Sequence, residues 1–245
     1  SITSRFLFSK GSLKKLNVFA TALDDATGVL DRTTQFQKLM STTYATNLDL
    51  KGKFEALGLK HRVLVGLDYL HDTTDYNYAE GSTNFPINIF NPVYGSIPDS
   101  AYDEGSTGTG FRFFPSGLVK QTGLYVQDQV TLFDKLHLLL GGRYDYAEFG
   151  LGTSALSREE AITDRHGRSV RKDSQFSPRA GILYEWTPRL STYASYSKSF
   201  GANNGRSVTG ETHPPERGEQ FEVGTKAELL QGVSATVALF HLTKK

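Results

Sequence analysis

The residues best suited to binding a large ligand are nine aromatic side chains and one arginine that fall between Asp72 and Gly117. Ligand sites are concave, largely aromatic surfaces with a few polar groups, and loop residues carry function more often than scaffold residues. An arginine can hold an anion through its bidentate fork. Rings that pack on one another and an arginine that contacts only water are the alternatives. The candidates are Tyr76, Tyr78, Phe85, Phe90, Tyr94, Tyr102, Phe111, Arg112, Phe113 and Phe114.

Residue types that could carry catalysis or hold a metal are poorly spaced. His71 stands close to Asp72 and Asp75, as in a pair that activates water, but such catalysis needs a further carboxylate, and a rim of solvated polar groups is favoured. The segment 105–110 (GSTGTG) lacks the Lys-Ser/Thr and the helix of a phosphate-binding loop. We therefore predict no enzymatic activity, no metal site and no cofactor. The histidines are His61, His71, His137, His166, His213 and His241.

The composition excludes several classes of protein. The chain has 245 residues with 27 Lys and Arg against 26 Asp and Glu, so its net charge is +1 and nucleic acid is not an expected partner. Because cysteine is absent, there is no disulfide framework and no thiolate zinc site. The sequence contains no run of about 18 apolar residues, so no transmembrane helix is predicted. A spanning β-barrel stays open, since its signal per strand is weak.

Apolar and polar residues alternate along several segments, which is the signature of strands with two different environments. In Leu136 to Tyr146, Leu138 and Tyr144 share one face and charged residues share the other. The same alternation recurs in His61 to Leu70, Phe176 to Trp186 and Glu219 to Glu228. We predict that the charged face lines a wet interior. Its residues include Arg143, Asp145, Arg179, Glu185, Glu222 and Lys226.

Connections of two lengths alternate along the chain. Tight turns are predicted near 10–14, 55–60, 133–136, 187–190 and 230–233, and long loops at about 72–117, 150–172 and 201–217. Short turns at one edge of a meander and long loops at the other are typical of outer-membrane barrels. The sequence thus predicts an all-β antiparallel meander of about ten strands, with a soluble β-sandwich as the alternative. Aromatic residues predicted to lie at the membrane interfaces are Tyr44, Tyr69, Tyr144, Tyr146, Tyr184, Trp186 and Tyr196.

Three segments in the second half of the chain resemble barrel stretches of TonB-dependent ferric-siderophore receptors. They occur in the order and at the spacing found in that family. The first half resembles the family more weakly, through LDLKGKF (48–54) and HRVLVGLDYLHDTTD (61–75). The three segments are GLYVQDQVTLFDKLHLLLGGRYDY (123–146), SQFSPRAGILYEWTPRLSTYASYSKSF (174–200) and PPERGEQFEVGTKAEL (214–229).

The resemblance implies a fold and a function. It implies part of a transmembrane β-barrel of 22 strands that encloses a plug, in the outer membrane of a Gram-negative bacterium. The implied function is active transport of a ferric siderophore, with iron carried only as the chelate. The implied partners are the siderophore, outer-membrane lipid with lipopolysaccharide, and the TonB–ExbB–ExbD complex, which reaches the plug region through a TonB box. The aromatic candidates would contact the siderophore, and the charged interior residues would face the plug.

The chain lacks segments that correspond to a plug or a TonB box. We therefore expect residues 1–245 to be one internal part of the barrel domain, with roughly 150 residues of plug before it and about a dozen strands after it. Haem or cobalamin as the cargo stays open. A passive porin, an outer-membrane barrel protease and a soluble adhesion module are the alternative functions.

Overall fold

A computed structural model describes residues 1–81, 83–102, 111–201 and 215–244. Within these ranges, ten strands form one antiparallel sheet in the order β1-β2-β3-β5-β6-β7-β8-β9-β10, and the short β4 pairs with β2. This confirms the predicted fold class. The strands are β1 (Ile2–Asp24), β2 (Val29–Ala56), β3 (Leu59–Glu80), β4 (Ile87–Asn88), β5 (Arg112–Leu132), β6 (Leu136–Ser154), β7 (Arg171–Thr187), β8 (Leu190–Gly201), β9 (Glu216–Leu230) and β10 (Val233–Lys244).

The two faces of the sheet differ in chemistry because side chains alternate along each strand and the strands are in register. Val65 of β3 lies opposite Leu50 of β2 and Val126 of β5, while Leu138 of β6 lies opposite Val130 and Ile182. These residues form an apolar face, and most of its large side chains are exposed. Exposing such an extended apolar surface to water is unfavourable, so the face requires an apolar environment such as lipid.

Aromatic rings border the apolar face at both edges. At the edge of the long connections, Tyr44 packs on Phe8 and Tyr196 packs on Phe221, with ring centroids 5.1 and 4.7 Å apart. At the opposite edge, Tyr184 and Trp186 are 4.7 Å apart. Such rings suit the headgroup region, where the ring body lies in hydrocarbon and its polar tip in water. We call the first of these borders the outer girdle.

Short and long connections alternate, as the sequence predicted. Two or three residues join the strands at one edge, as at Leu57–Gly58 and Pro188–Arg189. The predicted turn at 10–14 is wrong, because β1 continues through this segment, with Gly11 opposite Ser41 and Leu13 opposite Leu39. The Gly, Ser and Lys residues of this segment resemble a turn because this part of β1 lies beyond the outer girdle, where no apolar side chains are needed to face lipid.

The predicted bounds of the long loops need correction. The loop placed at 72–117 is shorter, because β3 continues to Glu80 and β5 begins at Arg112. In the loop placed at 150–172, β6 continues to Ser154, a helix follows, and β7 begins at Arg171. Where a loop was placed at 201–217, β8 ends at Gly201 and β9 begins at Glu216, and residues 202–214 lie outside the described ranges. The strands extend past the girdle with polar residues on both faces, which removes the alternation that marks a strand.

Helical structure is scarce. A short 3-10 helix spans Asp99–Tyr102, and helix α1 spans Arg158–Gly167. In the described ranges, no helix has the length and apolar character needed to cross a membrane. The buried apolar side chains lie near the long connections, on both faces of the sheet, because Phe114 of β5 and Phe149 of β6 have opposite orientations in the ladder between these strands. They are Phe36, Ala79, Ile87, Phe114, Ala147, Phe149 and Ala161.

Specific polar contacts fix α1 on the extended ends of β3, β5 and β6. Ser157 caps the helix by accepting a hydrogen bond from the Glu160 N–H. Arg158 donates to Asp75, 2.6 Å away, and Ser116 donates to the other oxygen of the same carboxylate. Asp75 is thus buried with its charge paired.

The packing of α1 on β6 requires a glycine at position 152. A Cβ atom there would lie 2.1 Å from the Ala161 carbonyl oxygen. We expect Gly152→Leu to displace α1 at a cost of about 2 kcal/mol. Limited proteolysis of the whole protein should then cleave segment 155–170 faster, while the barrel stays folded. Gly167→Ala is the matched control, because no atom lies within 4 Å of its added Cβ. Equal cleavage of both variants would contradict this account.

Candidate functional site

Four predicted ligand residues come together on the polar face, beyond the outer girdle. Tyr76 and Tyr78 lie two residues apart on β3 and therefore share a face. Phe113 of β5 lies opposite Tyr78 in the ladder, and Phe111 precedes β5. The ring centroids are 6.2 Å apart for Tyr76 and Tyr78, 5.9 Å for Tyr78 and Phe111, and 6.4 Å for Phe111 and Phe113. We call these four residues the aromatic wall.

Amide and carboxyl groups border the wall. The Gln35 side chain donates to the Tyr78 hydroxyl at 2.7 Å, and that hydroxyl donates to Glu80. Asn17 donates to the Gln35 carbonyl oxygen at 3.0 Å. These residues continue the polar face from β3 across β2 to β1. The wall thus combines apolar ring surface with oriented polar groups, which is the composition of a binding site for a bulky ligand.

Burial and hydrogen bonding affect the phenols of the wall, which lie outside the apolar band. Burial raises the pKa of Tyr76. The pKa of Tyr78 is raised by burial and by its hydrogen bond to Glu80. Both phenols are therefore protonated at neutral pH and can donate hydrogen bonds. Phe111 and Phe113 are 60% and 40% exposed, so their rings can contact a ligand.

The other predicted ligand residues do not join the wall. Phe114 is only 2% exposed and, like Arg112, has the opposite parity on β5, so both lie on the other face. Phe90 and Tyr94 are exposed in the connection between β4 and β5, where Phe90 lies against Gly28. The Phe85 backbone pairs with Arg32. Tyr102 ends the 3-10 helix, and its side chain lies outside the described part of the chain.

The structure does not assemble the protease-like group of His71, Asp72 and Asp75. His71 and Asp72 are adjacent on β3 and point to opposite faces. Asp72 accepts a hydrogen bond from Thr43 at 2.6 Å, whereas Asp75 pairs with Arg158. Among the described residues, no group of three or more histidine or acidic side chains could hold a metal. Segment 105–110 and His213 lie outside those residues.

A second polar group, the ion-pair cluster, lies further along the same face. Arg143 of β6 pairs with both Asp68 of β3 and Asp145 of its own strand. To reach Asp68, its guanidinium passes over Gly123 of β5, where a Cβ atom would lie 1.9 Å from a guanidinium nitrogen. Gln121 also donates to Asp145, at 3.0 Å. Three strands are therefore joined through one side chain.

The other charged residues predicted to face the interior lie on this face as well. Glu185 lies 3.0 Å from the His137 ring, and Glu222 accepts a hydrogen bond from Tyr193 at 2.6 Å. The Lys226 ammonium lies 5.2 Å from the centroid of the Tyr193 ring. Arg179 is exposed opposite Gly141. Contact of these residues with a plug stays a prediction.

Sequence reasoning missed the polar border of the wall, which consists of Asn17, Gln35 and Glu80. A signal was available for Glu80, since Tyr76, Tyr78 and Glu80 are spaced two apart on a strand. Asn17 and Gln35 lie on β1 and β2, and only the pairing of the strands brings them to Tyr78. Asp68, the partner of Arg143, could be placed on the polar face from alternation but could not be paired.

Comparisons with known proteins agree with this arrangement. The family model "TonB dependent receptor-like, beta-barrel" matches residues 3–245. The ferrichrome outer membrane transporter/phage receptor of Escherichia coli (strain K12) is 33% identical over 204 residues, which are 82% of this chain and 26% of that protein. The ferrioxamine B receptor of Salmonella typhimurium (strain LT2) is 31% identical over 186 residues, which are 75% of this chain and 24% of that protein.

A solved structure shows the same fold at lower identity. The ferric preacinetobactin receptor BauA from Acinetobacter baumannii superposes with a TM-score of 0.71 at 21% identity, covering 98% of this chain and 35% of its own. The chain spans about a quarter of the length of the curated relatives described above. These findings place the chain in the β-barrel family of TonB-dependent receptors, which are transport receptors of the Gram-negative outer membrane and not enzymes.

Proposed function

We propose that the whole protein actively transports a ferric siderophore across the outer membrane, energised by the TonB complex, and that this chain supplies barrel strands and part of the ligand site. The observation that carries the proposal is the aromatic wall. It stands on the wet face of the sheet, at the edge of the long connections, which in outer-membrane barrels is the extracellular edge. The names of two relatives, a ferrichrome transporter and a ferrioxamine B receptor, support the same class of cargo.

The wall suits a chelate whose iron is already fully coordinated. Such a ligand needs ring surface and hydrogen bonds rather than protein ligands to the metal. Tyr76, Tyr78, Phe111 and Phe113 supply the ring surface, and Gln35 and Glu80 supply polar groups beside it. We propose that iron enters only as the chelate and that the protein carries no cofactor of its own.

The proposed partners match two further surfaces. The ion-pair cluster and residues such as Glu185, Glu222 and Lys226 would face a plug, through which the TonB–ExbB–ExbD complex would act. Lysines stand on the lipid side at the outer girdle and beyond it, where they would meet the phosphates of lipopolysaccharide. By strand register Lys120 and Lys172 lie level with Tyr44, Lys10 lies two residues further out, and Lys38 lies six residues further out.

The wall can be tested by removing two of its rings. In the full-length receptor, Tyr78→Ala with Phe113→Ala should weaken chelate binding roughly thirtyfold, because each ring contact contributes about 1 kcal/mol. The measurement is a titration with ferrichrome, ferrioxamine B, ferric pyoverdine, haem and cobalamin, which also identifies the cargo class. Phe133→Ala, in a turn at the opposite edge and 90% exposed, is the control. Unchanged affinity in the double variant would remove the wall from the site.

Dependence on the energy complex separates active transport from a passive porin. We expect cells without TonB to bind the chelate at the surface with unchanged affinity but to accumulate no iron from it. Iron uptake at equal rates with and without TonB would favour the porin alternative. The measurement is uptake of a radioactive iron chelate by matched strains.

A further inference from the structure

Three cations stand together on the polar face, near the edge of the short turns. Lys51 and Lys53 lie on β2, and Arg62 lies opposite Lys53 on β3. Alternation places them on the face of Asp49 and Asp68, which contact Tyr125 and Arg143 respectively. They are far from the aromatic wall, because Tyr78 lies 16 positions after Arg62 on β3, about 50 Å along an extended strand.

These cations line a concavity of about 500 Å³ together with Gln127 and Gln129 of β5. Ser1, Gly52, Val63 and Leu64 complete the lining. No carboxylate contributes to its lining. We call Lys51, Lys53, Arg62, Gln127 and Gln129 the basic pocket. Two ammonium groups and a guanidinium fork supply positive charge, and two side-chain amides can turn their N–H groups toward a ligand, which is the chemistry that recognises anionic oxygens.

The pairing of the strands brings like charges together in the basic pocket. Like charges directly opposite each other on neighbouring strands destabilise a sheet, and Lys53 faces Arg62 in this way. The nearby Lys60 is paired with Asp134 at 2.6 Å. Among the described residues, no acidic side chain lies within 4.0 Å of the three pocket cations. The carboxylates that flank them on the polar face of β2 are Asp49, which accepts a hydrogen bond from Tyr125, and Glu55. A bound anion would offset their repulsion.

We propose that the basic pocket is an exit subsite that binds the anionic oxygen groups of a ferric chelate, such as pendant carboxylates, after the chelate has left the aromatic wall. This rests on the proposed function. The pocket lies on the same wet face and close to the edge of short turns, which faces the periplasm in such barrels. The wall captures the chelate by its apolar surface, and the basic pocket raises its local concentration at the exit by charge.

Direct binding is tested with inorganic phosphate as the probe. The purified full-length receptor should broaden the phosphorus NMR signal of phosphate in a saturable way. K51Q/K53Q/R62Q should weaken this binding roughly tenfold, because charge-lined clefts concentrate ions by about that factor or more. K51R/K53R/R62K, which keeps the charges, should bind like the wild type. K135Q/R189Q, which removes cations from two turns at the same edge, should also bind like the wild type.

The role in transport is tested by comparing binding with uptake. In K51Q/K53Q/R62Q, the affinity of the receptor for an anionic chelate that it transports should not change, whereas the uptake rate should fall roughly tenfold. Uptake of a neutral chelate should not change.

Absence of saturable phosphate binding, or equal loss of that binding in K135Q/R189Q, would overturn the subsite. Equal slowing of both chelates would assign the cations to contact with acidic side chains of the rest of the receptor. If the wild-type receptor bound no chelate, the proposed function would be contradicted. The phosphate titration would still report whether the basic pocket binds anions.

Discussion

Pairing of the backbone within the sheet is the constraint on which the rest of the structure depends. Hydrocarbon offers no hydrogen bonds, so the strands that lipid surrounds must satisfy their N–H and C=O groups with one another. Each strand from β1 to β10 pairs with its neighbour along the sheet, with β3 next to β5 and the short β4 on β2. Once the backbone is paired, successive side chains point alternately toward lipid and toward the wet interior. The sequence then determines only which residue types each face presents. The apolar face, the girdles and the site on the polar face all follow from this.

The same constraint explains which parts of the fold could be predicted from the sequence. Where one face meets lipid, alternation is strict, and segments such as Leu136 to Tyr146 predict strands and their faces. Beyond the girdle both faces are wet, and the signal disappears. Asp72 to Glu80 therefore resembles a loop, although it pairs with β2 from Thr43 to Gln35. Segment 10–14 resembles a turn for the same reason. The strands continue there because the backbone ladder continues.

The candidate site could be predicted only in part. Composition shows which aromatic residues are available, but their odd or even position along a strand decides which of them share a face. Tyr76, Tyr78 and Phe113 have the parity of the polar face, whereas Phe114 has the opposite parity and is buried in the core. Assigning this parity requires knowing that β3 and β5 extend so far. Contacts between distant segments lie beyond any local pattern. The pairing of Asp75 with Arg158, 83 residues later in the chain, depends on the helix that follows β6.

The ion-pair cluster shows that the polar face specifies the register of the sheet more sharply than the apolar face does. Leucine and valine on a lipid surface tolerate a slip of two residues, because each apolar side chain meets another. Asp68 and Asp145 both lie opposite Gly123, and Arg143 can reach Asp68 only because the glycine between them has no side chain. A slip of two residues would place a bulky residue under the guanidinium. A slip of one would move Arg143 to the lipid face, where an exposed arginine costs about 2–4 kcal/mol at mid-membrane depth. The aromatic wall and the basic pocket both depend on this register, since each is assembled from residues of β2, β3 or β5 that meet only when the strands are correctly paired.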